Sequence, residues 1–293
     1  MTTKFLWYPP SGEAPMEWGP EYPWRLHDFE GLENTLSDLA TIKSPSQLGE
    51  TAVDITVPPR VISVALRDIA ESMEDYYEHR RSLIRALTQR IPRGNSLPVL
   101  GVLRVLREDL PPLDIDASPR SSPQLSPMST GFPGALADVE LLCPYPYLRD
   151  VADSAITLEQ DGGLEFPLEF PFESLSNNVE QTIVNEGDVD APMLVRLYGD
   201  VTTVTMTNVT TGEAFRITGQ IEADQFIEVD TAFGQKRVEL NDTGVVTNAM
   251  HRLDLAMAEL WSLQPGANLV RFEADINTSG RATVSWRQRY SGI

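Results

Sequence analysis

The chain has 293 residues, 41% of them hydrophobic and 23% charged, and its 43 Asp and Glu against 23 Lys and Arg give a formal net charge of −20. Such a composition is globular, the length suits about two domains, and no run approaches the ~20 consecutive apolar residues of a membrane helix. An acidic protein also offers phosphate no basic field, so neither membrane insertion nor specific nucleic-acid binding is expected.

Charge and proline divide the chain unevenly. Residues 1–150 carry 14 basic and 21 acidic side chains with 18 of the 22 prolines, whereas residues 151–293 carry 9 basic, 22 acidic and four prolines. The first half should consist of interrupted elements and the second of a more continuous fold, with the break between Pro144 and Asp153. The expected domains are therefore 1–150 and 151–293.

Residues 1–25 form an arm in which Trp7, Trp18 and Trp24 stand among five prolines. Proline at this density prevents a helix, and three indoles are costly to leave in water, so the arm should dock either on its own domain or on a neighbouring subunit. Next, Val53, Ile55 and Val57 alternate with Asp54 and Thr56, the pattern of a half-buried strand, and Arg60–Leu66 reads as a second strand. From about Ile69 to Ile91 the period lengthens: Met73, Tyr76, Tyr77, Leu83, Ile84, Leu87 and Ile91 recur at helical steps until Pro92 and Gly94. The other face of this amphipathic helix carries Arg80, Arg81, Arg85 and Arg90, either as a solvated face or as a contact with an acidic neighbour.

Two apolar segments follow, Leu97–Leu106 and Ala135–Cys143, separated by a Ser/Pro-rich stretch at 117–131. Prolines 119, 123 and 127 predict a long exposed loop there rather than a helix or a ladder. From residue 154 the pattern is β, with short runs at Ile156–Glu159, Leu164–Phe172, Val179–Val184, Met193–Tyr198, Val201–Thr207, Ala214–Gly219, Phe226–Asp230, Lys236–Leu240, Leu269–Asp275 and Thr283–Arg287. Regular short strands at this spacing predict an antiparallel sandwich.

The sequence assembles no catalytic set. It holds no phosphate-binding glycine motif, its three histidines (His27, His79, His251) are scattered, and Cys143, its one cysteine, ends an apolar strand before Pro144, where a buried structural role is the simpler reading. His79 falls on the polar side of the helix as a solvated residue. The run Asn185–Asp190 lacks the loop length and terminal Glu of a calcium hand and reads as a polar turn, and the sequons at Asn208, Asn241 and Asn277 occur without a secretion signal. No catalytic residue, cofactor or metal site is expected.

Four strings in order carry a family resemblance: Val209–Ile217 with its Thr-Gly turn, Gln225–Thr231 with Ile-Glu-Val-Asp-Thr, Leu260–Phe272 with Leu-Gln-Pro-Gly-Ala-Asn, and Ala282–Ile293 with Trp286 and Tyr290. The strand around Pro59–Val64, the Tyr/Arg-rich Tyr76–Ile84 and the aromatic-proline segment Cys143–Tyr147 add to it. The chain resembles the distal tail proteins of long-tailed phages with non-contractile tails, over about residues 30–293.

The resemblance implies a mainly β protein, with an N-terminal β-sandwich ring domain bearing one amphipathic helix and a C-terminal galectin-like antiparallel sandwich. It implies a structural, non-enzymatic virion protein, made in the host cytoplasm and placed at the tail tip. There a homo-hexameric ring would join the tail tube protein to the tail-associated fibre or lysin protein, and possible receptor-binding proteins, around the DNA channel. Trp7, Trp18, Trp24, Tyr76, Arg80 and Arg81 are the candidate subunit-interface residues. A competing reading, a carbohydrate-binding module attaching the tail tip to host glycans, would use Trp261 and Trp286 as sugar platforms.

Overall fold

Alternating burial dominates both halves of the chain. The computed structural model describes residues 3–20, 23–35, 37–89, 98–129, 132–161 and 178–293, and the chain divides into two units, Met1–Val151 with Tyr290–Ile293, and Ala152–Arg289. The protein is mainly β, with antiparallel sheets in both units and one α-helix among the described residues.

The first unit runs β1 (Thr3–Tyr8), β2 (Met16–Trp18), β3 (Trp24–Glu30), β4 (Asp38–Ile42), β5 (Thr51–Thr56), β6 (Arg60–Ile69), α1 (Met73–Ala86), β7 (Gly101–Arg107), β8 (Leu113–Pro119), β9 (Gln124–Pro127), β10 (Gly134–Cys143) and β11 (Leu148–Asp150). Its main ladder has the order β2-β1-β7-β8-β10-β6-β3, with β9 added to β10 and β11 to β8. The N-terminal part of β8 pairs with β7 and its last residues, Ser118 and Pro119, pair with β10, so one strand links the two halves of the ladder. Every second residue of β6 is buried, and β7 and β10 follow suit, so Ile62, Val64, Leu66, Leu103, Val105, Val139 and Leu141 meet in one core. Tyr290–Ile293 closes onto this unit through Arg60, a buried guanidinium that donates to the Gly31 and Ser291 carbonyls and to Thr35 Oγ1.

Several expectations change here. Of the two expected docking places the arm takes its own domain, not a neighbour: β1, β2 and β3 are members of the sheet, and Trp7, Trp18 and Trp24 are fully buried in the unit's own core. Prolines 119 and 127 sit in strands; β9 pairs on one side only, where a missing N–H costs no ladder bond. Ile69 belongs to β6, and the helix begins after it because Ser72 caps it, its Oγ accepting from the Asp75 N–H at 3.1 Å. The alternating run at 53–57 is not half-buried, since β5 pairs only with β4 and every residue of both strands is exposed. Arg90, Ile91, Pro92, Gly94 and the 164–172 run lie outside the described residues.

The second unit runs β12 (Ser154–Asp161), β13 (Asn178–Asn185), β14 (Met193–Asn208), β15 (Ala214–Ile221), β16 (Gln225–Asp230), β17 (Arg237–Asp242), β18 (Val245–Asn248), β19 (Leu253–Ala258) and β20 (Gly266–Trp286). Two pairs of predicted strands merge: 193–198 with 201–207 as β14, and 269–275 with 283–287 as β20. These two long strands pair with each other along their length, β20 holding β12 and β13 and β14 holding β15 and β16 at opposite ends. The register shifts beside Gly199, which has φ +110°, and a bulge there lets the ladder turn between two leaves. Val195, Leu197 and Ile227 from one leaf share a core with Met206, Phe215 and Phe272 from the other, which makes the unit an antiparallel sandwich.

Candidate functional site

Helix α1 is held on one side and bare on the other. Its first turn carries Glu74 and Asp75 and its last turn Arg85, which suits the helix dipole at both ends. Tyr76, Leu83, Ala86 and Leu87 form the buried stripe. Three polar ties fix it: the Trp7 indole N–H donates to the Ala86 carbonyl at 2.8 Å, His79 Nδ1 meets Asp68 Oδ1 at 3.0 Å, and Gln89 just beyond the helix donates to Ser118 Oγ at 3.0 Å. Trp7 thus satisfies one of the carbonyls that every helix C-terminus leaves without a partner.

The outward face combines charge with apolar surface. Arg80, Arg81 and Arg85 are exposed and pair with no carboxylate among the described residues. Met73, Tyr77 and Ile84, at i, i+4 and i+11, line up beside them and are also exposed. Two clefts flank the end of the helix. One, of ≈ 560 Å³, lies between Arg80, Ile84 and Leu87 and the Pro119–Pro123 segment; the other, of ≈ 580 Å³, lies between Arg81, Ile84 and Arg85 and Ser11 and Glu13.

The six predicted interface residues therefore separate. Arg80 and Arg81 stand on the open helix face, whereas Trp7, Trp18 and Trp24 are sealed in the core and Tyr76 packs with Ala70 and Ala135, so these four present no surface to a neighbour. Ile84 and Tyr77, which the helical spacing groups with Leu83 and Tyr76, are exposed instead and join the open face. An apolar arc wider than one buried stripe needs, continuing past an arginine, was the available signal.

His79 is not simply solvated. Asp68 is fully buried, and burial raises its carboxyl above the usual range, the nearby His79 opposing that shift; its Oδ2 has no hydrogen-bond partner. A group that binds its proton more tightly when folded contributes stability that is complete below the unfolded carboxylate value of ~3.9 and is lost as pH rises through the folded value. Asp68→Asn is therefore expected to flatten the decline in stability above about pH 4, measured by urea unfolding at a series of pH values; an unchanged slope rules the account out.

Other chemistry-bearing residues have structural places. Cys143 is buried and its thiol is pushed up to about 12 by burial. The Asn185 amide donates to the Val189 and Leu263 carbonyls and accepts from the Gly187 N–H, closing a polar turn. Asn208 is fully buried, so its sequon offers no acceptor at the surface. Trp261 and Trp286 belong to the core of the second unit, and neither presents a face to a sugar. No metal-holding group of His, Cys, Asp or Glu occurs among the described residues, and no helix there is long and apolar enough to cross a membrane.

The strings behind the family resemblance also have definite positions. The Thr-Gly turn joins β14 to β15 with Gly212 at φ +83°, Asp230 ends β16 with Thr231 just beyond it, and Asn268 organises the Pro-Gly turn into β20. Residues 186–290 match the family of siphovirus-type tail components, C-terminal domain. The protein carries a phage tail component domain. Over the whole chain the protein shares the fold of the crystal structure of SPP1 Dit (gp 19.1), described as a paradigm of the hub adsorption apparatus in phages that infect Gram-positive hosts, with a TM-score of 0.65 at 10% identity over 99% of both chains. A chain in the phage P2 baseplate in its activated conformation with Ca aligns over 100% of both chains at a TM-score of 0.54 and 9% identity, and one in the Sr form over 99% of both at 0.56 and 10%. Comparison with curated proteins finds no match.

Proposed function

We propose that this tail component is the distal tail hub, a hexameric ring at the tail tip that joins the tail tube to the tail-tip fibre or lysin protein, with receptor-binding proteins as further partners. The observation that carries this reading is the match of residues 186–290 to the tail-component family, in a chain whose fold runs end to end with that of SPP1 Dit. The arginines of α1, unpaired among the described residues, support it, since a −20 chain supplies acidic surface on every other copy. Residues 1–150 would build the ring and residues 151–293 would face outward to the adsorption proteins. The role is structural rather than catalytic. A sugar-binding role loses its two platform candidates to the core of the second unit.

DNA would cross the ring without being bound. Six copies at −20 each give about −120 around the channel, and a polyanion is repelled by an acidic wall. Negative-stain imaging and light scattering of the purified full chain test the reading: six-fold rings are expected, and a protein that remains monomeric at about 100 µM would overturn it.

A further inference from the structure

Strands β4 and β5 form a two-stranded ladder that pairs with neither main sheet, and none of its side chains belongs to a core cluster. Leu39 and Ile55 are directly opposite one another, 56% and 64% exposed, and Leu48 near the turn is 100% exposed. A lone hairpin is marginal in water, and apolar side chains concentrated on one are a mark of an interaction surface. Its charges are Asp38, Glu50 and Asp54 against Lys43, a net −2. The α1 face is the opposite in sign and similar in kind: Arg80, Arg81 and Arg85, without carboxylate partners among the described residues, outnumber nearby Glu78 and Glu13 around exposed Ile84 and its two clefts.

We propose that the β4–β5 hairpin of one copy docks on the α1 face of the next, with Leu48 entering the clefts beside Ile84 and the hairpin carboxylates meeting the arginines. The inference rests on the ring reading and names the surfaces that would meet. Charge complementarity selects a second copy as the occupant: each chain carries one acidic apolar hairpin and one basic apolar groove, in equal number and in the same unit. The two patches differ, so the contact is heterologous, and repeated contacts of that kind close into a ring when the rotation permits. It also explains why strongly alternating strands are left in solvent in a single chain, since their cover is supplied by a neighbour.

The test uses two full-length variants, a hairpin variant (Leu39→Ser, Leu48→Ser, Ile55→Ser) and a groove variant (Arg81→Glu, Arg85→Glu), with near-UV circular dichroism to check folding. Each alone is expected to weaken assembly by at least about 100-fold in sedimentation velocity. Mixed, they should stop at a 1:1 heterodimer, because the intact hairpin of the groove variant meets the intact groove of the hairpin variant while the reverse pair is broken at both ends. A separate pair, Leu48→Cys with Thr88→Cys at the lining of both clefts, keeps a small apolar side chain at the hairpin tip and should give intermolecular disulfides under mild oxidation, without interference from buried Cys143. Rings that form unchanged in both variants, or that form without the cross-link, overturn the contact and leave the hub reading standing. A wild-type chain that stays monomeric removes both.

Discussion

Trp7→Ala is expected to destabilise the first unit by about 3–5 kcal/mol, because it removes a large side chain from a core that cannot collapse around the gap. Trp7 is fully buried and stacks on Trp18 with ring centroids 6.2 Å apart and planes 12° from parallel. Its strand is gripped on both sides, by Met16 of β2 and Leu103 of β7. Its indole lies so close to Gly101 that a Cβ added there would come within 2.5 Å of the ring, so the slot is shaped by a residue with no side chain. The loss reaches α1 as well, because the indole N–H is the partner of the Ala86 carbonyl. Trp7→Phe separates the two effects: it keeps most of the apolar volume and orphans the carbonyl, for about 1–3 kcal/mol. Urea unfolding gives the total, and hydrogen exchange at the last turn of α1 reports the lost tie. Protection there that is unchanged in both variants would falsify the anchoring role, and a Trp7→Ala midpoint equal to wild type would remove the packing argument too.

That anchoring role could not be read from the sequence, and the reason is physical. Composition and proline spacing predict an extended arm with three costly indoles, but burial against one's own sheet and burial against a neighbour satisfy the same hydrophobic demand. Only pairing partners decide between them, and β7 lies about a hundred residues beyond β1 in the chain. The helix shows the converse case. Its arginine face was visible because charge at helical spacing is a local property, whereas the exposure of Ile84 beside buried Leu83 depends on which side meets the sheet. The hairpin at 38–56 shows the limit of alternation: Val53 and Ile55 alternate with polar residues as half-buried strands do, and in the single chain both stand in solvent. In the second unit the predicted strands are largely in place, but the gaps left between 198 and 201 and between 275 and 283 are filled where β14 and β20 continue through a bulge. Of the strings that carry the family resemblance, those at 209–217, 225–231 and 260–272 centre on turns and strand ends of this sandwich. They mark the fold of the second unit, whereas the α1 face lies in the other unit.

Asn268 makes the same point in energetic terms, and Asn268→Ala is expected to cost the second unit about 3 kcal/mol, mostly through the groups it leaves unsatisfied. The side chain is fully buried and makes four hydrogen bonds: Oδ1 accepts from the Gln264 N–H at 3.0 Å and from Asn208 Nδ2 at 3.1 Å, while Nδ2 donates to the Gln264 and Gly266 carbonyls at 2.8 and 3.1 Å. Gly266 at φ +90° lets the backbone turn around it. Residues Gln264 and Gly266 are exposed, so water can replace part of what Ala removes there, but Asn208 is fully buried and its amide cannot be rehydrated. Most of the cost should therefore lie in the Asn208–Asn268 bond. A double-mutant cycle isolates it: Asn208→Ala with Asn268→Ala should cost less than the two single variants together by about 1 kcal/mol or more, since each single change already breaks the shared bond. Strict additivity in urea unfolding would move the cost to the turn itself. Asn268→Asp distinguishes further, because it keeps the acceptor but turns a carboxylate toward the Gln264 and Gly266 carbonyls. Its folded carboxyl should be raised above the unfolded value, so this variant should be closest to wild type in acid and lose stability as pH rises above about 4.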